Sequence, residues 1–80
     1  MKTEILFQNN KYFISLDDRI FDTAIATYLN IPIQKYKDIA IKCGGYIDPV
    51  GEILFKEKEN AQKLLDALEP YIIMINLING

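Results

Sequence analysis

The sequence predicts a small single domain of the α+β class over residues 1–80, in the order β-β-α-α-β-β-α-β. The expected sheet is mixed or antiparallel, with helices mainly on one face. Three observations predict this. Short runs rich in Ile, Phe and Tyr meet at turn-forming residues, Asn9-Asn10 and Asp48-Pro49-Val50-Gly51. Two central segments repeat apolar residues at helical spacing. The last stretch, Tyr71–Ile78, is apolar at every position except Asn76, the pattern of a strand covered on both faces.

Taken in order, Lys2–Gln8 and Lys11–Leu16 form a hairpin. Asn tolerates positive φ, so Asn9-Asn10 suits a two-residue primed turn. Thr3, Ile5 and Phe7 share one face of the first strand, and Tyr12, Ile14 and Leu16 share one face of the second. Asp17-Asp18 then opens a helix as N-cap and first-turn acids. Its stripe is Ile20, Phe21, Ala24, Ile25, Tyr28 and Leu29, with Asp18, Asp22 and Thr23 on the wet face. It stops near Asn30, because Ile31 precedes Pro32.

Pro32 begins a second helix. Ile33, Tyr36, Ala40 and Cys43 make its stripe, Asp38 and Lys42 form an i,i+4 pair, and Gly44-Gly45 ends it. Asp48 to Gly51 has the residue order of a type I turn and pairs a Tyr46–Ile47 stub with Glu52–Lys56. A third helix follows, burying Ala61, Leu64, Leu65 and Leu68 and stopping at Glu69-Pro70. Tyr71–Ile78 is then the central strand.

Glu52–Glu69, EILFKEKENAQKLLDALE, resembles the second half of an RNA-recognition motif or another ferredoxin-like domain. That resemblance implies a strand–helix unit only. RNA readers carry aromatic and basic residues on the matching strand. Here Gly51-Glu-Ile-Leu-Phe55 has one aromatic, and an acid where a base belongs, so the RNA function does not transfer.

Composition bounds the function. The net charge is −2, against the basic footprint expected of nucleic-acid binders. Histidine is absent and Cys43 is the one cysteine, so an internal disulfide is excluded and a reducing, cytoplasmic setting is expected. Met1-Lys-Thr-Glu does not open like a signal peptide, and the final apolar run is far shorter than the roughly 20 residues of a membrane span. Isoleucine exceeds leucine, and lysine far exceeds arginine. That bias fits a bacterial or phage source.

Acid–base or nucleophilic catalysis needs a histidine, a perturbed carboxylate pair or an activated nucleophile. None is evident, so no catalytic, cofactor-binding or metal-ligating residue is assigned. Asp17, Asp18 and Asp22 read as a cap and a solvated face, because a hard-cation loop needs more oxygens at defined spacing. Cys43 sits at a helix C-terminus, which disfavours a thiolate, and reads as a small core residue.

The chain is 50% hydrophobic, at the upper edge of the usual range of roughly 45–50%, while a chain this short buries only about 60% of its unfolded surface. This points to a non-enzymatic protein-interaction module that binds another protein or itself, with a homo-oligomer expected. Tyr28, Tyr36, Lys35, Lys37, Lys42, Tyr71, Ile73 and Ile75 form the candidate interaction surface, since tyrosine suits boundaries with one apolar and one wet side. The alternative is a DNA-binding regulator using a helix-turn-helix-like segment, residues 24–43.

Overall fold

The computed structural model describes residues 1–79. Its elements are β1 (Thr3–Gln8), β2 (Lys11–Leu16), α1 (Asp22–Tyr28), α2 (Ile33–Lys42), β3 (Tyr46–Ile47), β4 (Ile53–Leu54) and α3 (Lys58–Asn79). The α+β class and the first seven elements follow the predicted order.

The strands form two antiparallel two-stranded sheets, β1-β2 and β3-β4. One bridge joins them: the Tyr12 N–H donates to the Phe55 carbonyl, and the Phe55 N–H donates to the Tyr12 carbonyl, both at 2.8 Å. Asn9 and Asn10 take φ of 54° and 66°, the left-handed pair that a primed hairpin turn requires. Ile14 and Leu16 of β2 are buried, and Ile5 and Tyr12 pack against them.

Asp17-Asp18 does not cap a helix. Both residues are left-handed, with φ of 48° and 68°, and they form a second tight turn. Leu16 and Arg19 exchange backbone hydrogen bonds across it, and the Asp17 carboxylate accepts from the Lys2 N–H at 2.7 Å. The signal that suits a cap also suits an αL turn, because Asp bonds local backbone in both. α1 therefore starts four residues later, at Asp22. Ile25 and Leu29 of the predicted stripe are buried and Tyr28 packs against the core, whereas Ile20 and Phe21 precede the helix and are exposed, and Asp22, expected on the wet face, is buried.

The ends of α1 and α2 follow the sequence more closely. Asn30 is left-handed (φ 58°), and the Ile31 N–H returns to the Ala26 carbonyl at 2.9 Å. At the end of α2, Gly44 has φ +100° and the Gly45 N–H returns to the Ala40 carbonyl at 3.0 Å. Both are helix-ending αL closures. Gly45 is required for space instead: a Cβ there would lie 2.9 Å from Ile53 Cγ2 and 3.0 Å from Phe55 Cε1. On α2, Tyr36 and Ala40 are buried, while Asp38 accepts from Gln34 at 3.0 Å.

The largest departure is Tyr71–Ile78, which is helix and not a central strand. α3 continues through Pro70 for 22 residues. Its buried stripe runs Ala61, Leu64, Leu65, Leu68 and Ile72, with Ile75 partly buried beyond. Pro70 lies on the exposed side, where the Asp66 carbonyl it leaves without an N–H donor can meet water. The neighbouring strands are only two and six residues long, and none is positioned to build a ladder on this segment. In an almost wholly apolar run the helical period is invisible, so periodicity cannot separate a buried strand from a helix.

An interior proline costs a helix about 3 kcal/mol relative to alanine. Pro70→Ala should therefore retain or raise the helical circular dichroism and stabilise the fold by about 1–3 kcal/mol in urea melts. Loss of helix signal or of stability would contradict a continuous α3.

Candidate interaction surface

α2 and α3 run side by side in opposite directions. At one end, a Cβ on Gly44 would lie 2.6 Å from Asn60 Nδ2. At the other, Lys35 Nζ sits 5.5 Å from the centre of the Tyr71 ring. α2 begins two residues before Lys35, whereas α3 continues for eight residues past Tyr71. A helix of this length spans about 33 Å, close to the 36 Å long dimension of the domain. Its last two turns extend past the deepest packing.

The character of α3 changes at Pro70. Upstream, the outer side carries Glu59, Gln62, Lys63 and Asp66, all exposed. Downstream, Ile73, Met74, Leu77 and Ile78 are 50%, 58%, 75% and 71% exposed. Their spacing of i, i+1, i+4 and i+5 makes one stripe, on the side opposite Ile72 and Ile75. From Tyr71 to Asn79 there is no charged residue.

The predicted surface residues distribute unevenly over the molecule. Tyr71 and Ile73 belong to this helix end, and Lys35 stands beside it. Ile75 packs partly against the core. The Tyr28 ring also packs on the core, with the Arg19 guanidinium 3.8 Å above it. Lys37 is half-buried and Lys42 exposed at the far end of α2. Tyr36 is not a surface residue: it is wholly buried, at the centre of the α2 stripe. Met74, Leu77 and Ile78 were not among the expected residues. Their helical spacing carries the signal, and it becomes visible only once Pro70 is read as interior.

A second constellation is internal. Asp22 is 6% exposed. Its Oδ2 accepts from the Ile53 N–H at 2.7 Å, and its own N–H donates to Glu52 Oε2 at 3.2 Å. Burial raises the Asp22 carboxyl from 3.8 to about 7, opposed by the Ile53 N–H and reinforced by the charge and hydrogen bond of Glu52, with Lys37 acting to lower it. Burial, and then the Asp22 and Glu52 charges, push the Tyr36 phenol upward. The Tyr36 hydroxyl is buried without a hydrogen-bond partner among the described residues. The carboxyl pair thus ties α1 to β4. Asp17, Asp18 and Asp22 do not converge, and no cluster of three or more His, Cys, Asp or Glu that could hold a metal occurs among the described residues. Partial burial raises the Cys43 thiol, which disfavours a thiolate nucleophile.

Clefts open to solvent lie beside Phe13, Ile20, Phe21 and Glu52, with about 280 Å³, and beside Tyr46, Lys56, Glu57 and Asn60, with about 720 Å³. Among the described residues no helix is long and apolar enough to cross a membrane.

The carboxyl pair fixes a pH dependence. The unfolded chain releases the Asp22 proton near 3.8 and the folded chain near 7. Between those values the unfolded state binds fewer protons, so stability falls as pH rises from about 4 to about 7. Asp22→Asn keeps an acceptor for the Ile53 N–H and removes the charge. Thermal melts across this range should show a flatter profile for Asp22→Asn, with stability at pH 8 equal to or above the parent's. Asp22→Ala leaves the Ile53 N–H without an acceptor and should cost about 1–3 kcal/mol. Comparison of the chain with protein-family models, with curated proteins and with solved structures gives no match.

Proposed function

We propose that this chain is a small non-enzymatic protein-interaction module whose docking element is the C-terminal half of α3. The observation that supports it is the outward stripe of Ile73, Met74, Leu77 and Ile78 on an uncharged helix end. An amphipathic helix that presents i, i+3/i+4 anchors is a recurrent way to enter another protein's groove. Methionine adapts to irregular apolar surfaces. The partner is another protein or a second copy. A phage- or mobile-element-type accessory protein acting on a host protein in the cytoplasm is a setting that this reading fits.

A DNA-reading role for residues 24–43 is the alternative. In its favour, α1 and α2 are joined by a tight turn at Asn30. Against it, Tyr36 is buried, Lys35 lies over Tyr71, and Asp38 is exposed among the lysines. Salt-sensitive DNA retention that Lys35→Glu abolishes would favour this role.

The double substitution Ile73→Glu with Leu77→Glu tests the docking reading. Both side chains are largely exposed, so stability should change by no more than about 0.5 kcal/mol per site, while protein association is lost. If the variant unfolds, the stripe is part of the core and the docking reading fails.

A further inference from the structure

We infer that the outward stripe of α3 pairs with the same stripe of a second copy, the two helices running antiparallel about a two-fold axis; this rests on the docking reading above. Three features of the helix end select this occupant. First, Tyr71–Asn79 carries no charge, so nothing on it selects a charged partner surface. Two chains of net charge −2 can meet there without placing like charges in contact. Second, the stripe is self-complementary. With the axis between Ile75 and Asn76, Ile73 faces Ile78 of the second copy and Met74 faces its Leu77, so the four exposed hydrophobic side chains of this segment cover one another. A two-fold interface uses one patch on both partners in this way.

Third, the lengths agree. Beyond Ile72, the last buried residue of α3, the described helix runs on for about 10 Å at 1.5 Å per residue, with Ile75 on its inner side still partly packed against the core. The same register overlaps residues 73–78 and leaves Lys63 and Asp66 outside the contact, with the two domain bodies at opposite ends. The stripe is narrower than the roughly 800 Å² per partner of a standard interface. The pair is therefore a reversible dimer, with a dissociation constant of about 10 µM to 1 mM, the weak end of the affinity range.

Light scattering on the full chain over that concentration range should show a mass rising from 9.2 kDa toward twice 9.2 kDa. Ile73→Glu with Leu77→Glu should hold it at 9.2 kDa while the circular dichroism spectrum is unchanged. Orientation is read by oxidation of an equimolar mixture of two variants, Met74→Cys and Leu77→Cys, each also carrying Cys43→Ala. The antiparallel register brings residue 74 of one copy within disulfide reach of residue 77 of the other, so the mixed disulfide should exceed random pairing. A mass of 9.2 kDa at every concentration overturns the pairing and leaves the docking reading standing. A monomer that co-sediments with phosphatidylcholine vesicles assigns the stripe to a lipid surface and overturns both. Dimerisation that survives the double substitution, or like-with-like disulfides in excess, overturns the proposed register. Unfolding of the double variant overturns the docking reading itself.

Discussion

Two-stranded sheets are marginal in water and need an apolar surface to pack against. In this chain that surface is one stripe of α3: Ala61, Leu64, Leu65, Leu68 and Ile72. β1 and β2 lie against it, α2 flanks it, and α1 is held through α2. A single bridge, Tyr12–Phe55, joins the two sheets. Without the long helix the β1-β2 hairpin loses the surface it packs on. This explains why α3 is continuous through a residue that ordinarily ends helices. The packing of Ile72 on the far side of Pro70 offsets the local penalty, and the proline faces outward where its missing hydrogen bond costs least.

The buried carboxyl pair serves the same end at another junction. Pairing between β2 and β4 stops after Tyr12–Phe55. Two residues earlier on β4, the Ile53 N–H, which an extended ladder would give to a strand carbonyl, is taken by the Asp22 carboxylate. One side chain from α1 thereby ends the ladder and ties the small hairpin to the helical layer. A buried acceptor of this kind is retained because the alternative is an unsatisfied peptide N–H.

Much of the fold is legible in the sequence where local chemistry leaves one choice. Asn9-Asn10, Asp48–Gly51 and Gly44-Gly45 each required a specific backbone, and each adopts it. The Asp48 carboxylate, for example, accepts from the Val50 and Glu52 N–H groups at 3.0 and 2.8 Å. Legibility fails where one pattern serves two structures. Asp17-Asp18 suits both a cap and a left-handed turn. Tyr71–Ile78 is apolar enough to be either a buried strand or a helix. The candidate surface inherited that second ambiguity. A strand exposes alternate residues, which puts Ile73 and Ile75 on one face. A helix separates them, placing Ile73 outside and Ile75 toward the core. Tyr36 differs for another reason: its place on the α2 stripe marks it as core, tyrosine as a residue type suits a boundary with one wet side, and the stripe decides.

The two glycines that close α2 are held by different constraints, and this bears on how distant relatives of the chain would be recognised. Gly44 has φ +100°, well beyond the 58° at which Asn30 is held, and a Cβ there would lie 2.6 Å from Asn60 Nδ2, so any side chain strains the backbone first. Gly45 has ordinary backbone angles but is walled in by Ile53, Phe55 and the Ala40 carbonyl, so even a methyl group displaces the core. Across diverged sequences that keep this architecture, position 44 stays glycine for its backbone angle and position 45 for the space around it. The Gly-Gly pair, with the stripe from Ala61 to Ile72, is the durable signature of the fold.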